Sequence, residues 1–142
     1  MKLMATALTI AVVTGLAATG ALADGGPTGI WRINSGKVTV KIEECGNALC
    51  GTIVDLAKPL DKNGAPKVDR ENPDPALRRR PLIGITVLDH MRPNGDNKWS
   101  GTIYNADDGY TYSSKMSLNG DIMKVKGCVL FICKAMKFTR VN

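Results

Sequence analysis

From residue 37 to residue 140 the chain repeatedly alternates apolar and polar side chains with a period of two. Val38, Val40 and Ile42 alternate with Lys37, Thr39, Lys41 and Glu43. Trp99, Gly101 and Ile103 alternate with Ser100, Thr102 and Tyr104. Tyr110, Tyr112, Ser114, Met116 and Leu118 alternate with Thr111, Ser113, Lys115 and Ser117. Met123 and Val125 alternate with Lys124 and Lys126, and Met136, Phe138 and Arg140 with Lys137 and Thr139. This is the signature of strands with one face buried and one face wet. No segment keeps a helical period over ten or more residues. Asn34-Ser35-Gly36, Pro93-Asn94-Gly95, Asp107-Asp108-Gly109 and Asn119-Gly120 supply turn chemistry between the runs. Cys50–Leu56 reads as a further strand, and Leu82–Leu88, apolar on both faces, as a more buried one. With Ile30–Ile33 as the first, the count reaches about eight. The expected fold is therefore all-β. A small antiparallel barrel fits, filled by side chains or holding one small ligand. A two-sheet sandwich is the alternative.

One stretch breaks this rhythm. Ala57–Pro81 holds five of the seven prolines and a net charge of +3. It is too long for an ordinary connection and too rich in proline for a strand. Asp74-Pro75 has the form of a helix cap followed by proline, so a single helical turn is expected over Ala76–Arg79. Such a loop would cover a barrel mouth, plug its side, or cross between two halves of the sheet.

The ends of the chain and its cysteines speak to location. Lys2 is followed by an apolar or small stretch from Leu3 to Leu22, then by Ala21-Leu22-Ala23. This pattern is that of a signal peptide over residues 1–23, cut after Ala23, with a single domain over residues 24–142. The domain would be periplasmic or secreted, and no later segment is apolar enough to span a bilayer. The four cysteines form two C-x4-C pairs, and each pair brackets a short connection between extended stretches. The expected disulfides are Cys45–Cys50 and Cys128–Cys133, in keeping with an oxidising compartment. Zinc sites favour tighter spacing, so no metal is expected.

Several residues, in order, carry a resemblance. Gly29-Ile30-Trp31 opens the first strand and Arg140 lies on the last. This arrangement resembles the calycin barrels, the lipocalin group, where the resemblance implies tryptophan packed at the closed end beneath a late arginine. A broader set comprises Gly29-Ile30-Trp31-Arg32, Cys45-Gly46, Leu49-Cys50-Gly51, Asn72-Pro73-Asp74-Pro75, Leu77-Arg78, Arg80-Pro81-Leu82, Trp99, Gly101, Ile103-Tyr104, Gly109, Tyr112 and Thr139-Arg140-Val141. It resembles the bacterial exported family catalogued as domain of unknown function 2147. The resemblance implies a lipocalin-like barrel in the cell envelope and brings no catalytic residues. Phe138 stands where that pattern leads one to expect tryptophan.

No enzymatic constellation is evident. His90 follows Asp89, yet nothing marks a nucleophile, and a histidine beside a turn reads as solvated. Asp61, Asn63 and Asp69 surround Gly64 without the spacing of a calcium loop. No catalytic residue, metal or cofactor is expected. Without the leader the charge is 18 basic against 13 acidic residues, or +5. Aromatics are too few for a nucleic-acid stacking platform. Two binding readings follow. In the first, the barrel holds a small apolar or amphipathic ligand, with Tyr104, Tyr112 and Arg80 as polar contacts at its mouth. In the second, the loop over residues 57–81 docks an envelope protein or anionic polymer through Arg78, Arg79 and Arg80. Trp31, Arg140 and Asp74 take structural roles.

Overall fold

The computed structural model describes residues 25–141. The expected signal peptide and its cut after Ala23 lie outside the described residues. Eight strands follow in chain order: β1 (Gly29–Ile33), β2 (Val38–Cys45), β3 (Ala48–Leu56), β4 (Thr86–Pro93), β5 (Lys98–Asn105), β6 (Tyr110–Asn119), β7 (Ile122–Val129) and β8 (Ile132–Arg140). Each pairs antiparallel with the next, and β1 pairs with β8 to close the barrel. The closing seam is short, with Trp31 opposite Arg140, Arg32 opposite Thr139 and Ile33 opposite Phe138.

The alternation seen in the sequence separates inside from outside. Ser114, Met116 and Leu118 are buried in β6, whereas Ser113 and Lys115 face out. Met123 and Val125 point in from β7, and Lys124 and Lys126 point out. The interior is filled by Trp31, Val40, Ile42, Leu49, Leu88, Met91, Ile103, Met116, Leu118, Met123, Val125 and Phe138. Gly51 is tightly enclosed: a Cβ there would stand 3.0 Å from both Leu88 and Val40.

One end is closed by a strap. The Trp31 indole donates to the Pro27 carbonyl at 2.9 Å. The Arg140 guanidinium lies 4.3 Å from the Trp31 ring centroid and donates to the Thr28 and Gly26 carbonyls. Its Nε donates to Asp121 at 3.0 Å, tying in the β6–β7 turn. Gly29 has φ +128°, and a Cβ there would come within 3.2 Å of Arg140. The spacing of the G-x-W motif thus has a steric cause.

Three local expectations need correction. Leu82–Leu88 is not one strand: Gly84 turns at φ +104°, and β4 begins only at Thr86. The helical turn is a single 3-10 turn, Pro75–Leu77, shifted one residue earlier, with Asp74 capping it through the Ala76 N–H. His90 does not lie beside a turn. It sits within β4 at φ +51°, at a bulge where Asp89 pairs with Thr102 and Arg92 with Ser100.

The proline-rich segment folds on itself through Leu60–Pro66 and Val68–Pro81 bridges. It is pressed against the side of the barrel near the β5–β6 turn. A Cβ at Gly109 would fall 1.9 Å from the Glu71 carbonyl oxygen, so only glycine permits the approach. Both disulfides form as expected. Each closes a hairpin with only two residues beyond the last paired positions, Gly46-Asn47 and Leu130-Phe131.

Candidate functional site

Tyr104 follows the inward-facing Ile103, so it emerges on the outer wall of β5, beneath the proline-rich segment. Its hydroxyl donates to Asp69 at 2.6 Å. Asp69 is wholly buried and both of its carboxylate oxygens are engaged. Its other oxygen takes Asn72 Nδ2 at 2.8 Å, Arg80 Nε at 2.9 Å and Arg80 at a second nitrogen at 2.8 Å. A buried carboxylate is tolerable only when paired in this way. Burial, then the hydrogen bond and charge of Asp69, raise the Tyr104 pKa above its ordinary value of 10.0. Arg78 Nε donates to the Asn72 carbonyl at 2.7 Å, so it too is committed within the segment.

The candidate residues thus divide. Tyr104 and Arg80 share one network on the outer wall, whereas Tyr112 stands apart. Tyr112 packs its ring on the core and donates to Asp108 at 2.7 Å. That bond, with burial second, raises the Tyr112 pKa. Burial acts to raise the Asp108 carboxyl, but the Tyr112 hydroxyl and the Tyr110 amide outweigh it and hold the group below its usual value. Arg79 is exposed on the segment. Asp61 accepts from the Asn63 and Ala65 amides at 2.8 and 3.0 Å, which makes a capped turn. Asp69 turns away from it toward Tyr104. Among the described residues, no group of three or more His, Cys, Asp or Glu side chains is placed to hold a metal ion.

Two open hollows lie on this outer wall. The first, about 290 Å³, is bordered by Asn72, Arg80, Asp89, Thr102, Tyr104 and Thr111. The second, about 560 Å³, is bordered by His90, Arg92, Ser100, Thr102, Lys115 and Leu130, among others. Thr102 borders both, so they are neighbours on the sheet. Together they run across β4, β5 and β6, from the proline-rich segment to the tip of the β7–β8 hairpin.

Local backbone chemistry shapes the junction. His90 holds a positive φ that costs a non-glycine residue of order 1–3 kcal/mol. Its Nδ1 stands 3.1 Å from Asp89. The bulge fits because the facing residue is Gly101: a Cβ there would lie 2.5 Å from the Asp89 carbonyl oxygen. The signal for this was present in the sequence as a glycine inside a strand. Its partner across the sheet was not readable, because register is a tertiary property.

One polar group stands unpaired inside, among the described residues. Ser114 is buried and its hydroxyl makes no hydrogen bond. It lies between Gly101 and Gly127 on the neighbouring strands. Ile103 and Tyr112 approach the open side of Gly127, so the small residues admit larger neighbours.

Against known proteins, the fold has a counterpart in a solved structure described as "Protein HP1028 from the human pathogen Helicobacter pylori belongs to the lipocalin family". The TM-score is 0.68 at 22% identity, covering 81% of this chain and 82% of that one. At that identity the likeness establishes the lipocalin-like fold. No curated protein matches the chain. Residues 29–140, from the G-x-W glycine to the arginine that packs over it, match the family described as "Uncharacterized protein conserved in bacteria (DUF2147)", and the chain belongs to that family.

Proposed function

We propose that this protein binds a small amphipathic ligand with an anionic head, on the outer wall of the barrel rather than in a central calyx. The observation that carries this reading is the placement of the two cavities. They lie side by side outside the barrel with Thr102 between them, bordered by Arg80 in one and by Arg92, Lys115 and the apolar Leu130 in the other. The residues that would line a calyx instead pack on one another. Arginine, lysine and several hydroxyls suit a phosphate or carboxylate. Leu130 and the Cys128–Cys133 bridge suit a short hydrocarbon. The lipocalin-like fold agrees with small-ligand binding in general. The proline-rich segment serves this reading as a fixed wall, since Arg78 and Arg80 are already engaged.

The apolar leader, the A-x-A sequence and two disulfides support a place of work outside the cytoplasm. A mass spectrum of the recovered protein should begin at Asp24 and be lighter by the four hydrogens that two disulfides remove.

The binding test uses decyl phosphate below its micelle concentration, with decanol and inorganic phosphate as its two halves. Calorimetry should show decyl phosphate binding at least about tenfold more tightly than either half. An Arg92→Gln/Lys115→Gln variant should lose about tenfold or more, the scale of a charge-assisted contact. Unchanged affinity in that variant would remove the outer-wall site.

A further inference from the structure

The β7–β8 hairpin ends in Val129-Leu130-Phe131-Ile132, and all four side chains face solvent. Their exposures are 55, 89, 98 and 82%. An apolar run left this bare is unusual in a folded chain. It is also held out deliberately. Cys128 and Cys133 face each other across the strands and are bridged behind the tip. Leu130 takes a φ of +51°, a conformation normally left to glycine or asparagine. A leucine placed there accepts backbone strain in exchange for an exposed apolar group.

The charge around the tip is one-sided. Residues 25–109 hold 12 basic and 11 acidic residues, a net of +1. Residues 110–140 hold six basic residues and one acidic, a net of +5. Arg140 is paired with that acid, Asp121, at the far end. The remaining five, Lys115, Lys124, Lys126, Lys134 and Lys137, are exposed and have no ion-pair partner among the described residues. Lys115 lies directly opposite Lys126, and Lys124 directly opposite Lys137. Like charges facing each other across a sheet are destabilising. Strands β6, β7 and β8 contain no acid to relieve them.

We infer that the β7–β8 hairpin is a membrane-docking finger: its apolar tip enters the interface of an anionic phospholipid bilayer while the lysines behind it meet the headgroups. The spacing suits this. Lys126 and Lys134 lie three residues from Val129 and Phe131, roughly 10 Å at strand rise. Interfacial anchors bury their apolar groups about 5–10 Å deep, with basic residues at headgroup level. A second copy of the chain is the disfavoured occupant, because it would bring the same unrelieved lysines together. Attachment would be peripheral and reversible. It shares Leu130 and Lys115 with the border of the ligand groove, but rests on the exposed tip and on Lys124, Lys126, Lys134 and Lys137, which lie outside that border.

The test is vesicle co-sedimentation with phosphatidylethanolamine/phosphatidylglycerol vesicles, and with phosphatidylcholine vesicles as the neutral control. The protein is used as recovered from cells, with its N-terminus fixed by mass spectrometry and every variant compared in the same form. Wild type should bind the anionic vesicles and lose binding as salt rises. Leu130→Asn/Phe131→Ser should bind about tenfold more weakly, from lost apolar contact. Lys124→Gln/Lys126→Gln/Lys134→Gln should lose about a hundredfold on anionic vesicles alone. Phe131→Ser by itself guards against misfolding, since that side chain is almost wholly in solvent. Arg92→Gln should bind vesicles as wild type does, which separates the finger from the groove. Equal binding by wild type and tip variant would overturn the inference, as would equal binding to neutral vesicles. So would a dimer by light scattering that Phe131→Ser makes monomeric without any vesicle binding.

Discussion

Asp69 shows how one buried carboxylate can hold a segment of about twenty-five residues in place. Tyr104, Asn72 and Arg80 converge on its two oxygens, so its loss would leave a half-buried arginine without its ion pair and the Tyr104 hydroxyl with no acceptor for its proton. Asp69→Ala should cost about 3 kcal/mol in urea unfolding, the scale of a broken buried pair. Tyr104→Phe should cost about 2 kcal/mol, since its hydroxyl both donates to Asp69 and accepts from Asn72. The pair also has an alkaline limit. The Tyr104 pKa is raised in the fold, so its contribution is complete below the unfolded value near 10 and is lost as pH rises through the folded value. Ultraviolet titration should show late ionisation of Tyr104 and Tyr112, and Tyr104→Phe should remove the Tyr104 part of it while leaving that of Tyr112. Limited proteolysis of the proline-rich segment should begin in the same alkaline range. Asp69, Glu71 and Asp74 were open to the sequence as partners for the arginines of the 78–80 run, and Asp69 takes Arg80; that Tyr104 joins them was not readable. An aspartate eleven residues from an arginine and thirty-five from a tyrosine gives no local sign that all three meet.

The strands were legible wherever alternation ran unbroken, because side-chain direction in a strand is a local property. Boundaries failed where a glycine or bulge intervened. Leu82–Leu88 looked like a buried strand because hydrophobicity cannot register the turn at Gly84. The bulge in β4 was hidden for a related reason: its cause lies across the sheet, in Gly101. Gly101→Ala should destabilise by about 2–4 kcal/mol, since the new Cβ meets backbone rather than a yielding side chain. Circular dichroism and urea unfolding would measure this, and Gly25→Ala, with open space and no positive φ, provides a control for glycine loss alone. The disulfides were legible from spacing, whereas the bare tip between the second pair was not. The spacing marked Val129–Ile132 as the connection of a hairpin, but nothing in it told that these four apolar side chains stay in solvent. Replacing Cys128 and Cys133 by serine should cost about 2 kcal/mol by chain entropy and loosen the tip.

Closure of the barrel rests on few contacts. β1 meets β8 at only three paired positions, and the strap from Gly26 to Thr28 is held by Trp31 and Arg140. Trp31→Ala removes the largest side chain of the interior and the surface on which Arg140 lies. It should cost about 3–5 kcal/mol, with faster exchange of β1 and β8 amides than of β5 and β6. This end was the most legible part of the fold, since the G-x-W and late arginine signalled it before any register was known. The outer-wall groove was the least legible, because it exists only where a long segment and a distant hairpin flank the same three strands.

The crowding of positive charge onto β6, β7 and β8 gives the molecule a strong electric dipole. A particle with such a moment does not tumble freely near a charged plane. It turns before contact, as a compass needle does, and presents one pole. Here that pole carries the hydrophobic finger, so a first collision with an anionic surface would already be correctly aimed. The lysines' repulsion, a burden to the isolated fold, would thereby shorten the orientational search.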